Sequence, residues 1–208
     1  MNSHPRHSGH ALIAVGLAVF AALVAIVILL LARTGALDEL ARGLRPLPVH
    51  GSVADFTLTE RSGRTVTRAD LAGRVWIADF IFTRCQTICP RMTAAMSTLA
   101  TDLADAPEVR FVSITVDPAY DTAYVLADFA ARYRADPERW FFLTGTKEAI
   151  YPLLADSFHL SAEGADGAFN HSTRFVLVDG EGRIRGYYDS ADAETLRRLA
   201  ADARRLRS

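Results

Sequence analysis

The only two cysteines of the chain, Cys85 and Cys89, stand in "FIFTRCQTICPRM" with three residues between them. Thiols at this spacing can exchange a small disulfide with a partner, hold a metal between two sulfurs, or form a purely structural bond. The structural bond is the weakest of these readings, because so short a loop removes little entropy from the unfolded chain. Thiolate is the form that attacks disulfides and binds soft metals. It is favoured where a cysteine meets the free N–H groups and positive dipole end of a helix start, and Arg84 and Arg91 push the same way.

Two thiolates are too few ligands for a metal, which directs attention to His171 in "GAFNHSTRFVLV". It directly precedes an apolar strand, and in a thioredoxin-like arrangement the loop before the last hairpin faces the cysteine loop. Two soft thiolates and one imidazole suit one copper ion, Cu(I) or Cu(II), better than zinc, which wants a fourth strong ligand. Met92 and Met96 share the Cys89 side of a helix and are read as core packing rather than thioether ligands. Asp79 lies within the apolar run "RVWIADFIF", where an ionisable group is costly unless satisfied. Structural hydrogen bonding and a buried proton acceptor for thiol chemistry both account for it. His50 and His159 have no such positional argument, and His4, His7 and His10 read as part of a polar tail.

The elements that must carry these residues follow from pattern. "ADFTLTERSGRTVTRADLAG" alternates around Ser62-Gly63 as a β-hairpin leading into a helical turn. "RVWIADFIF" is a central strand covered on both faces and delivers Cys85 at its end. Pro90 suits the first turn of the next helix. "VRFVSITVD" is a second buried strand, and "DTAYVLADFAARYRA" a helix starting at Asp121-Thr122. "RWFFLTG" supplies a third strand, and "TKEAIYPLLADSF" a helix capped by Thr146 and interrupted near Pro152. "TRFVLVDGEGRIRGYY" is a hairpin turning at residues 179–182, and the last helix starts near Asp192. This order is an open α/β sheet of thioredoxin type, with the cysteines at the first strand-to-helix junction, where reactive groups collect in such sheets.

Residues 11–32, "ALIAVGLAVFAALVAIVILLLA", carry no charge and match the roughly 20 residues of a bilayer-crossing helix. The apolar region of a cleaved signal peptide would be about half as long, so an uncleaved anchor is expected. The chain thus reads as a polar tail (1–10), a transmembrane helix (11–32), a tether with two prolines (33–49) and one domain (50–208). Arg33, Arg42 and Arg45 after the span outnumber Arg6 before it, but the positive-inside rule is weak for a large translocated domain. The net charge of -1 gives no reason to expect nucleic acid. The basic "LRRLAADARRLRS" at the end reads as the solvated face of a helix.

Several stretches together resemble the Sco/SenC family of membrane-anchored copper proteins: "LPVHGSVADFTLTERSGRTVTRADLAGRVWIADFIFTRCQTICPRM", "VSITVDPAYDT", "FLTG" and "NHSTRFVLVDGEGRIRGYY". The resemblance implies a thioredoxin-like fold held by one N-terminal transmembrane helix on the extracytoplasmic (periplasmic) side of the cell membrane. It implies one copper bound by Cys85, Cys89 and His171, with Asp117 of "VDPAYDT" near the site, and a copper-receiving subunit of a respiratory oxidase, or another copper or thiol protein, as partner. The family's role is to help load the binuclear copper site of cytochrome c oxidase, as copper donor or as reductant of the target's cysteines. This chain departs from many members in Gln86, Asn170 and Asp79. Asp79 draws it toward the alternative of a thiol–disulfide oxidoreductase, with Cys85 as nucleophile and Cys89 as resolving thiol. A peroxidase of peroxiredoxin type shares the fold but leaves His171 without a role.

Overall fold

The computed structural model describes residues 8–33, 45–159 and 173–207, in two compact units, Met1–Pro46 and Leu47–Ser208. His4, His7, most of the tether, Asn170 and His171 lie outside the described residues. The first unit holds helix α1 (Ser8–Arg33), whose segment Val15–Arg33 is long and apolar enough to cross a membrane. Its large side chains, among them Phe20, Leu23 and Ile28, are exposed rather than packed against protein.

The second unit is built on an eight-stranded sheet: β1 (Gly51–Ser52), β2 (Thr57–Glu60), β3 (Thr65–Thr67), β4 (Trp76–Ile81), β5 (Arg110–Thr115), β6 (Trp140–Thr144), β7 (Arg174–Val178) and β8 (Arg183–Asp189). Its order is β1-β8-β7-β4-β5-β6-β2-β3. Strands β4, β5 and β6 are parallel, and the other pairings are antiparallel. Helices α2 (Ile88–Asp102) and α3 (Ala123–Arg132) make the two crossovers between the parallel strands, as the long connection of a parallel pair requires. Helix α4 (Lys147–Pro152) runs into a π-helical turn at Leu153–Ser157, and α5 (Ala193–Leu206) closes the fold.

Every residue of β4 is buried, which explains an apolar run broken only by Asp79. Val75, Ile77 and Ile81 face a core with α2, α3 and α5, whereas Trp76, Ala78 and Phe80 face the other core with α4 and the N-terminal hairpin. By this alternation Asp79 points to the α2 side. Met92 and Met96 are 2% and 0% exposed in that same core, so they pack against the sheet. The caps follow local chemistry: the Thr146 hydroxyl accepts from Ala149 N–H, and the Asp192 carboxylate from Glu194 and Thr195 N–H.

Pro90 falls in the first turn of α2, as expected, and because that helix begins at Ile88 the same turn takes in Cys89; proline is tolerated there because that turn's N–H groups lack helical partners. Two details differ from the sequence expectation. The cap of α3 is Thr122, whose hydroxyl accepts from Val125 N–H, and Asp121 does something else. The end of the tether, despite its prolines, is ordered onto the sheet: Arg185 donates to the carbonyls of Leu47 and Pro48, and His50 N–H to Ile184 O.

Candidate metal centre

After β4 the chain makes a turn in which Cys85 N–H donates to Phe82 O at 3.2 Å, and α2 then starts. The sulfur of Cys85 therefore lies over the first turn of the helix, where Cys89 N–H donates to it at 3.3 Å. Cys89 is 1% exposed and Cys85 half-buried, and both are free thiols. Burial raises the Cys85 thiol, but hydrogen bonds from the N–H groups of Cys89, Thr87 and Ile88, and from the Cys89 side chain, outweigh it and bring its pKa below the ordinary value. Burial pushes the Cys89 thiol up to about 12, and its neighbours Cys85 and Asp79 add to the rise. The pair is thus asymmetric: an accessible sulfur that favours thiolate beside a buried one that keeps its proton.

Behind the pair, Asp79 is completely buried and its Cα is in register with Ser113 on β5. Ser113 Oγ donates to Asp79 Oδ1 at 2.6 Å and accepts from Trp140 Nε1 at 2.9 Å. The other oxygen, Oδ2, is buried and has no hydrogen-bond partner among the described residues. Burial with only partial satisfaction pushes the Asp79 carboxyl up to about 7, with the Ser113 hydrogen bond opposing the rise. One oxygen of Asp79 is thus committed to Ser113, which meets the structural expectation for this residue.

To one side, Asp117 is 5% exposed and its Oδ2 accepts from Arg84 Nη2 at 2.5 Å. That ion pair holds the residue next to Cys85, and the Arg84 guanidinium also lies 4.5 Å over the Tyr120 ring. Asp117 is thus tied to the cysteine loop through Arg84. Sequence reasoning missed Asp121, Thr83 and Thr115. The fully buried Asp121 carboxylate accepts from Thr83 N–H, Thr83 Oγ and Thr115 Oγ, and the signal for it was a second aspartate four residues after Asp117.

Cys85, Cys89, Asp79 and Asp117 therefore gather around the carboxyl ends of β4 and β5. Strand β7 runs antiparallel to β4, so its first residue, Arg174, lies at the cysteine end of the sheet, three residues after His171. Among the described residues no group of three or more His, Cys, Asp or Glu is placed to hold a metal. The donor set is two sulfurs, one poised as thiolate, which is the chemistry of a soft-metal or disulfide-exchange site.

An open α/β sheet with a cysteine pair at the junction of a central parallel strand and its following helix defines a protein of thioredoxin-like fold. More narrowly, the chain belongs to the SCO1/SenC family, whose model matches residues 48–207. It is 38% identical over 150 residues to the SCO1 protein homolog of Bacillus subtilis, an alignment covering 70% of this chain and 77% of the relative. Among solved structures it resembles BsSco, a member of the Sco family of cytochrome c oxidase assembly proteins with a disulfide switch (TM-score 0.71, 33% identity, 79% of this chain and 97% of that one). It also resembles Bradyrhizobium japonicum ScoI with copper bound (TM-score 0.62, 25% identity, 74% and 99%).

Proposed function

We propose that the chain is a membrane-anchored copper metallochaperone that carries one copper ion on Cys85, Cys89 and His171 and hands it to a respiratory oxidase. The observation that carries the reading is the asymmetric cysteine pair at the start of α2, with Cys89 in its first turn and the Cys85 sulfur over that turn. The copper-bound ScoI and the oxidase-assembly role of the Sco family add to it. Cys85 offers a ready thiolate, and Cys89 becomes a ligand by giving up its proton, so loading releases protons. Soft sulfur donors select copper over harder divalent ions. Helix α1 anchors the chain, and the soluble unit works on the extracytoplasmic side. There the acceptor is the copper-receiving subunit, and the cargo site is the binuclear copper centre of cytochrome c oxidase.

A second reading, thiol–disulfide exchange, rests on a specific observation, the buried and unpartnered Asp79 Oδ2 behind the pair. Cys85 thiolate would attack a partner disulfide, forming a mixed disulfide and releasing one partner thiolate. Cys89 would then resolve it, giving its proton to Asp79 and leaving the Cys85–Cys89 disulfide and a reduced partner. The two readings are compatible, because oxidation of the pair abolishes the metal ligands and gates loading. The deciding experiment titrates the full-length, reduced chain in detergent with Cu(I) against a chromophoric chelator. One equivalent bound tightly, and lost in Cys85→Ser and Cys89→Ser, is the expected result; undiminished binding by both variants would remove the copper reading.

A further inference from the structure

The entry to the cysteine loop is held by two aspartates of one turn. Asp117 grips Arg84, and Asp121, fully buried, grips Thr83. Residues 82–87 between β4 and α2 have little regular structure, so their conformation depends on ties from outside the loop. Asp121 supplies two of them, both to Thr83. Its Oδ1 accepts from Thr83 Oγ at 2.5 Å, while its Oδ2 accepts from Thr83 N–H at 3.1 Å and from Thr115 Oγ at 2.5 Å. Thr115 ends β5, and its hydroxyl oxygen in turn accepts from Asp117 N–H at 3.0 Å. Asp121 N–H closes the turn on Asp117 O at 2.9 Å.

A carboxylate with no exposure is costly unless donors satisfy it, and a helix cap needs no such burial. Capping of α3 is done by Thr122, so the helix start does not account for the burial of Asp121. We infer that Asp121 is a positioning residue for the Cys85–Cys89 site, locking Thr83 to the end of β5 so that the Cys85 sulfur stays over the first turn of α2. The inference rests on the reading of Cys85 and Cys89 as the functional pair. It extends that reading, since Asp121 touches neither sulfur and acts through Thr83 alone.

The test compares Asp121→Ala and Asp121→Asn with the parent, as full-length chains in detergent. Two readouts are taken: Cu(I) affinity against a chromophoric chelator, and the thiol–disulfide equilibrium of the pair in glutathione buffers. Asparagine keeps an acceptor for Thr83 N–H, whereas alanine removes every tie. Asp121→Ala should weaken Cu(I) binding by about 10–100-fold, the usual cost of losing a residue that orients a ligand. It should also move the pair toward the disulfide by roughly tenfold, about 30 mV, because the reduced form loses its fixed geometry. Asp121→Asn should recover most of both effects. A folded Asp121→Ala chain with parental affinity and parental equilibrium would overturn the inference. Should that variant not fold, Thr83→Val and Thr115→Val each remove one hydroxyl tie; several-fold weaker Cu(I) binding in both supports the inference, and parental binding in both overturns it. A parent that binds no Cu(I) would defeat the copper reading only, and the glutathione equilibrium would then decide the role of Asp121.

Discussion

Cys89 N–H donates to the sulfur of Cys85 at 3.3 Å, so one cysteine's backbone stabilises the other's thiolate while its own thiol, buried in the core, is pushed up to about 12. Metal must displace the Cys89 proton at any pH below that value. Between pH 7 and 8.5 the apparent Cu(I) affinity should therefore rise by at least about tenfold per pH unit. Competition titrations at several pH values check this slope.

Asp79 makes a different pH dependence. Its folded pKa of about 7 lies above its ordinary value of 3.8, so between those values the folded chain holds a proton that the unfolded chain has lost. Its contribution to stability is therefore complete below about pH 4 and is lost as pH rises toward 7. Asp79→Asn removes this term, so stability relative to the parent should shift in favour of the variant as pH rises from 4 to 7. Urea unfolding across that range measures the difference. On the exchange reading, the same substitution should also slow reduction of a partner disulfide.

Met96 is fully buried in the α2 core. Met96→Leu should cost less than about 1.5 kcal/mol, and Met96→Ala about 2–5 kcal/mol. Neither should change copper stoichiometry, because packing is the methionine's role. Denaturant unfolding and metal titration on the same samples test both halves.

Arg185 joins the end of the tether to the domain. It donates to Leu47 O and Pro48 O, and to Asp179 Oδ2 at 2.8 Å, in a site where both side chains are less than a tenth exposed. Arg185→Ala leaves Asp179 buried with Arg183 as its remaining ion-pair partner, and should cost about 3 kcal/mol. A soluble fragment starting at residue 45 should likewise unfold at higher urea than one starting at residue 50, which lacks both carbonyls.

Local pattern made the central elements legible. The apolar run of β4, the turn residues of the last hairpin and the Thr146 and Asp192 caps all carry short-range signals. Cys85 and Cys89 were legible for the same reason, since a strand end and a helix start meet between them. What stayed hidden is long-range. Asp121 next to Thr122 reads as a cap, and only the fold brings it to Thr83, 38 residues away. The ties from Arg185 to the tether span 137 and 138 residues, and no local pattern announces them. Pro90 marked the first turn of α2 without fixing which position in that turn the proline occupies.

The central claim is that the cysteine pair becomes a copper site by recruiting His171. The most direct measurement is the Cu(II) form of the full-length chain, compared between parent and His171→Ala by its sulfur-to-copper charge-transfer absorption and by Cu(I) affinity. One copper per chain is expected in the parent, with an altered band and at least about tenfold weaker binding in the variant. Identical spectra and affinities in the two proteins would contradict it.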